Sequence, residues 1–137
     1  MRLPVLPTAL ASFAAITLLA GCYGYERGPS RPPVDRIPAA TVTGPDEACI
    51  PLNQFSQTVV RDSRTIDFLA ANGRRGWRNV LPDDCPDLAS ERAFSFNTSL
   101  SQLCSTDIIH VLQTWGGTPR PGPACGLGRF TPIELQR

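Results

Sequence analysis

The sequence predicts an all-β domain: a small barrel or two packed antiparallel sheets of six or seven short strands, stapled by two disulfides. Three observations carry this expectation. Fourteen Pro and eleven Gly in 137 residues interrupt long helices and favour strands, turns and linkers. From Glu47 onward the apolar residues recur with a period of two rather than 3.6. Four cysteines (Cys49, Cys85, Cys104 and Cys125) lie beyond an apolar leader, and an even set in a small exported chain indicates disulfides.

The leader comes first. Met1-Arg2 supplies one positive charge, and Leu3 to Ala20 runs without another before ending in Leu19-Ala20-Gly21-Cys22. A basic start, an apolar centre and small residues at the cut describe a secretory signal. Pro4 and Pro7 shorten the clean apolar run below the ~20 residues that span a bilayer. The last four residues match the bacterial lipobox. That resemblance implies a signal peptide over 1–21, cleavage after Gly21, diacylglycerol on the Cys22 sulfur and an added acyl chain such as palmitate on the new amine. Two or three chains anchor far more durably than one. Tyr23 rather than Asp follows the cysteine. By similarity to sorted lipoproteins, this implies the periplasmic face of the outer membrane where the host has two membranes.

Residues 22–46 read as a lipidated, Pro-rich tether. Between Tyr23 and Asp46 stand Pro29, Pro32, Pro33, Pro38 and Pro45 with Gly24, Gly28 and Gly44, and such a segment buries too little apolar surface to offset its ordering entropy. Tyr23 and Tyr25 suit the membrane interface, as amphipathic rings do.

The small β domain is expected over 47–137. Thr65 to Ala70 alternates, with Ile66, Phe68 and Ala70 on one face and Thr65 and Asp67 on the other. Asn72-Gly73 then leads into Trp77 to Leu81, which predicts a hairpin with a type I′ turn and positive φ at both central residues. Further strands are expected at Ala48–Leu52, Gln57–Arg61, Ala93–Asn97, Asp107–Leu112 and Leu127–Ile133. Pro132 belongs at an edge or strand end because it cannot donate to a ladder. Pro86–Arg92 and Ser99–Leu103 can each hold a helical turn.

Four cysteines allow three pairings. The nested one, Cys49–Cys125 with Cys85–Cys104, is the expected choice, because it joins the first strand to the last as barrel closure would. No C-x-x-C occurs and the spacings fit no zinc pattern, so no metal and no cofactor are expected.

Candidate chemistry is sparse. Thirteen Arg face twelve Asp and Glu for a net charge of +1, and no clustered excess of cations argues for a nucleic-acid partner. His110 is the only histidine. A Ser–His–Asp arrangement could recruit Asp107, yet no nucleophile elbow is present, and a lone strand histidine is more often structural. Asp83, Asp84 and Asp87 cluster around Cys85 without calcium-loop spacing. Gly126-Leu127-Gly128 lacks the third glycine of a dinucleotide loop. Asn97-Thr98-Ser99 matches a glycosylation acceptor, machinery that a bacterial lipoprotein would not normally meet. Arg74, Arg75, Trp77 and Arg78 set cations beside an aromatic on one hairpin and are the binding candidates, although the better reading of the pattern is that Trp77 fills the core and the arginines keep the hairpin end soluble.

A wider resemblance follows from ordered fragments. Cys49-Ile50-x-Leu52, Thr65-Ile66-x-Phe68, Asn79-x-Leu81 before Cys85-Pro86-x-Leu88, Leu103-Cys104-x-x-Asp107-x-Ile109 and Cys125-Gly126-Leu127-Gly128-x-Phe130 together resemble a small four-cysteine bacterial envelope family of unknown function. The resemblance implies an exported disulfide domain and carries no activity or catalytic residue. The expected protein is therefore a membrane-anchored envelope lipoprotein, a non-enzymatic binding or structural module with an envelope protein or polysaccharide as partner. The alternatives are a small envelope hydrolase or lipid-handling enzyme, and an inhibitor of an envelope-directed enzyme.

Overall fold

The computed structural model describes residues 37–98, 100–114 and 116–136. The predicted signal peptide, Cys22 and most of the predicted tether lie outside the described residues. Ten strands are described: β1 (Ala40–Val42), β2 (Cys49–Pro51), β3 (Gln57–Val60), β4 (Thr65–Leu69), β5 (Arg75–Val80), β6 (Phe94–Phe96), β7 (Gln102–Cys104), β8 (Ile108–Gln113), β9 (Arg120–Gly126) and β10 (Phe130–Leu135). One 3₁₀ turn at Leu52–Gln54 and one helical turn, α1 (Leu88–Glu91), complete the set.

The fold is all-β, in three antiparallel sheets and without a closed barrel. A five-stranded sheet runs β1-β10-β5-β4-β3, a two-stranded one pairs β2 with β7, and a three-stranded one runs β6-β8-β9. Their inner faces share one core. Val60, Ile66, Phe68 and Phe130 come from the first sheet, Ile50 and Leu103 from the second, and Ile109 and Val111 from the third, with Leu88 of α1 closing the side. Phe68 sits at the centre. Its ring meets Phe55, Phe130 and Phe94 edge-on at centroid distances of 5.2, 5.6 and 6.3 Å, the arrangement that aromatic quadrupoles favour.

The expected hairpin is β4–β5, with Phe68 opposite Trp77 and Ile66 opposite Asn79. Its turn differs from the expectation. Only Gly73 has positive φ, at 67°, and the Gly73 amide donates to Ala70 O at 2.9 Å. Asn72 instead accepts from the Arg74 and Arg75 amides through Oδ1. A longer turn with one left-handed glycine therefore replaces the two-residue I′ form, because the Asn72 side chain takes over donors that a tighter turn would bond through backbone.

Three strands arise where the sequence indicated none. Ser99–Leu103 can hold a helical turn by its sequence, but Gln102–Cys104 is β7, aligned against β2. Arg120–Gly126 forms β9 despite Pro121 and Pro123, which an edge strand accommodates because its outer side needs no donors. Ala40–Val42, inside the expected tether, is β1 and pairs with β10, so the sheet begins before residue 47. Conversely, β10 starts at Phe130 rather than at Leu127. Pro132 lies within β10, not at its end. Its carbonyl accepts from Thr43, and Phe130 exchanges both backbone bonds with Glu47 on that same side. The missing proline N–H thus faces the edge where β1 stops, and the ladder to β5 is unaffected.

The disulfides correct the expected pairing. Cys49 joins Cys104 and Cys85 joins Cys125, so the two loops interleave and neither Cys49–Cys125 nor Cys85–Cys104 forms. Register dictates this: β2 against β7 sets Cys49 directly opposite Cys104. The last strand, β10, closes against β1 and β5, while Cys125 lies on β9 in a different sheet.

Candidate functional site

The candidate quartet on the hairpin is divided by strand alternation. Arg75 and Trp77 point to one face of the five-stranded sheet, and Arg78 to the other. On the latter face Arg78 donates through Nε and Nη2 to both oxygens of Asp67 at 2.7 and 3.0 Å, and through Nη2 to Pro38 O. Arg61 Nε donates to Asp67 Oδ2 at 2.8 Å. The Asp67 carboxylate is wholly buried between these two guanidinium groups, a charge compensated in place rather than a site open to a ligand. Arg78 therefore leaves the candidate set.

Arg75 and Trp77 remain, joined by residues from distant parts of the chain. The β5–β10 register places Pro132 opposite Trp77 and Glu134 opposite Arg75. Glu134 accepts from Arg75 at 3.3 Å and lies 3.5 Å from Arg74. Glu47, held by its backbone bridge to Phe130, accepts from the Trp77 indole N–H through Oε1 at 3.1 Å. Gln54 reaches the same place from the 3₁₀ turn after β2. Together Glu47, Gln54, Arg75, Trp77, Pro132 and Glu134 line an open cleft of about 550 Å³. Trp77 is half-buried, one side against the core and one toward the cleft.

The neighbouring Gly76 also lines the cleft, and no side chain fits there, since a Cβ would run into the Phe68 carbonyl. This close approach of backbones holds the Arg75-Gly76-Trp77 segment tight against β4. Of the cleft residues, sequence patterning found Arg75 and Trp77 but missed Glu47, Gln54, Pro132 and Glu134; Arg74 stays outside the lining and approaches Glu134. The convergence of Glu47, Pro132 and Glu134 depends on the β1–β10–β5 order and that of Gln54 on the 3₁₀ turn after β2, and Pro132 and Glu134 alternate in β10 as any strand residues would.

The other candidates are dispersed. His110 lies on β8 opposite Ser95 and Ala124, with Ile109 and Val111 turned into the core. Among the described residues no side-chain hydrogen bond links His110 to Ser95 or Asp107; Asp107 Oδ2 instead accepts from the Cys104 amide at 2.7 Å. Asp84 accepts from Ser63 and Asp87 from Gln113, and no group of three or more His, Cys, Asp or Glu suited to a metal occurs among the described residues. All four domain cysteines are in disulfides. The Asn97-Thr98-Ser99 triplet reaches outside the described residues at Ser99, as does lipidation at Cys22. Among the described residues no helix is long and apolar enough to cross a membrane.

Compared with family models, with curated proteins and with solved structures, the chain matched none.

Proposed function

We propose that the chain is a lipid-anchored protein of the bacterial envelope whose β domain is a non-enzymatic binding module. The observation that carries the anchor is Leu19-Ala20-Gly21-Cys22 at the end of an uncharged apolar run, where signal cleavage and acylation need it. The ordered cysteine-centred fragments, similar to a small envelope family, agree with an exported domain. Two disulfides suit an oxidising compartment. Where the host has two membranes, Tyr23 after the cysteine supports the outer one, by similarity to sorted lipoproteins.

Binding is favoured over catalysis by how the side chains are committed. Asp107 is occupied by a backbone amide three residues away, and His110 pairs with Ser95 along the β6–β8 ladder with no side-chain hydrogen bond between them among the described residues. The cleft beside Trp77 instead gathers an aromatic, a proline and several hydrogen-bonding groups, the composition of a recognition surface. Cys22→Ser is the test of the anchor. The variant is expected to remain an unprocessed precursor or to leave the membrane fraction. Fully processed Cys22→Ser protein that still fractionates with membranes contradicts the reading.

A further inference from the structure

We infer that the cleft beside Trp77 binds an uncharged oligosaccharide. This names the ligand of the module proposed above and rests on that reading of the β domain, though not on the lipid anchor.

Shape and chemistry converge on this ligand class. The cleft, about 550 Å³, lies within the range of small-ligand sites and is open enough for a chain to enter and leave. Trp77 and Pro132 are cross-strand partners on one face, so an indole and a pyrrolidine ring form one apolar wall. A sugar ring offers such a wall its axial C–H groups while its hydroxyls point outward. The indole is held by its N–H bond to Glu47 Oε1, so little side-chain freedom is lost on binding. Facing it are acceptors and donors in number. Among the described residues, Glu47 Oε2 and the Gln54 amide make no hydrogen bond within the protein, and a carboxylate or amide can engage neighbouring hydroxyls in pairs.

Charge selects an uncharged ligand. The Arg75 cation is already met by Glu134 at 3.3 Å, and Arg74 approaches the same carboxylate. Glu47 adds a negative charge. Two guanidinium groups and the two carboxylates of Glu134 and Glu47 leave no net positive charge at the cleft, which disfavours phosphate, acidic sugars and anionic lipid headgroups.

Trp77 and Trp115 are the two tryptophans, so Trp115→Phe in the full chain leaves Trp77 as sole reporter. The detergent-solubilised protein is titrated with the tetrasaccharide of N-acetylglucosamine and with cellotetraose, and in parallel with sodium phosphate and anionic phospholipid vesicles. A saturable change in Trp77 emission is expected with at least one oligosaccharide at sub-millimolar to millimolar concentration, and none with phosphate or vesicles. Gln54→Ala, at an exposed position, is expected to weaken it about fivefold, the net loss of one hydrogen bond. Glu47→Gln keeps the acceptor for the indole and is expected to weaken binding further.

A response to phosphate or vesicles alone overturns the inference. So does an oligosaccharide response that neither substitution changes, since the sugar would then sit elsewhere. Silence toward both oligosaccharides also overturns it, and crosslinking in native membranes then separates the two claims. A crosslinked envelope partner leaves the binding module standing without this ligand, whereas no partner removes both.

Discussion

Asp67 shows how one residue can be read correctly by position and still be misjudged by environment. Strand alternation places it away from the apolar face, which for a carboxylate suggests solvent, yet its side chain is fully buried. Its partners Arg61 and Arg78 stand six and eleven positions away on either side of two turns, and only the β3–β4–β5 register brings them together. Sequence pattern gives alternation but not register, so the ion cluster was invisible there. Asp67→Ala leaves two guanidinium groups, each with under a fifth of its side chain exposed, without a counter-charge. The expected cost is ~3 kcal/mol, seen as a lower urea midpoint. Replacing the whole cluster (Arg61→Met, Asp67→Leu and Arg78→Met) should recover most of that loss, because the desolvation penalty disappears with the charges. A single variant as stable as the parent protein contradicts this account. Asn79 is a second such case: its amide clamps the backbone of Gly128 through both N–H and C=O at 2.9 and 2.7 Å, a role that nothing in Asn79-Val80-Leu81 announces.

At the scale of elements, legibility followed the local strength of the signal. The β4–β5 hairpin is marked by alternation on both arms and by Asn-Gly between them, and it forms. Its detailed turn depended on a competition between side-chain and backbone acceptors, which sequence does not resolve. Gly73 at φ 67° remains the residue the turn requires. Gly73→Val should cost ~2 kcal/mol through left-handed strain at a β-branched position, while Gly73→Asn should cost much less. Equal unfolding midpoints for the two variants would argue against a left-handed Gly73. The strands that escaped detection share a physical cause. β1 and β7 are each three residues long and depend on a partner for their conformation, and β9 carries two prolines that only an edge position tolerates. The cleft inherits the same difficulty. Trp77 and Arg75 were legible as a pair, whereas Glu47, Pro132 and Glu134 enter the cleft through the order of strands in the sheet and Gln54 through the 3₁₀ turn after β2.

For the whole molecule, three open sheets around one core take the place of a barrel, and the disulfides fix how those sheets meet. One bridge lies within the β2–β7 pair. The other ties the chain after β5 to β9, linking the five-stranded and three-stranded sheets. Cysteines separated by 55 and 40 residues restrict the unfolded chain by about 4 kcal/mol each in the loop-entropy picture. That is comparable to the net stability of a domain this small. Cys85→Ala with Cys125→Ala is expected to lower stability by ~2–5 kcal/mol, with Cys85 lost from the buried core, and a change near zero would mean that the bridge does not link the sheets.

The domain is held by Cys49–Cys104 and Cys85–Cys125, and we propose that the chain carrying it is exported and lipid-anchored. Peptide mass mapping of the native protein without reduction tests both in one step. Cleavage before aspartates places each cysteine on its own fragment, at 46–61, 84–86, 87–106 and 107–137. The account predicts that 46–61 is joined to 87–106, that 84–86 is joined to 107–137, and that the first fragment begins at Cys22 with acyl chains attached. Fragment 46–61 joined to 107–137, free thiols on the four fragments, or an intact residue 1 in the membrane-bound protein would contradict it.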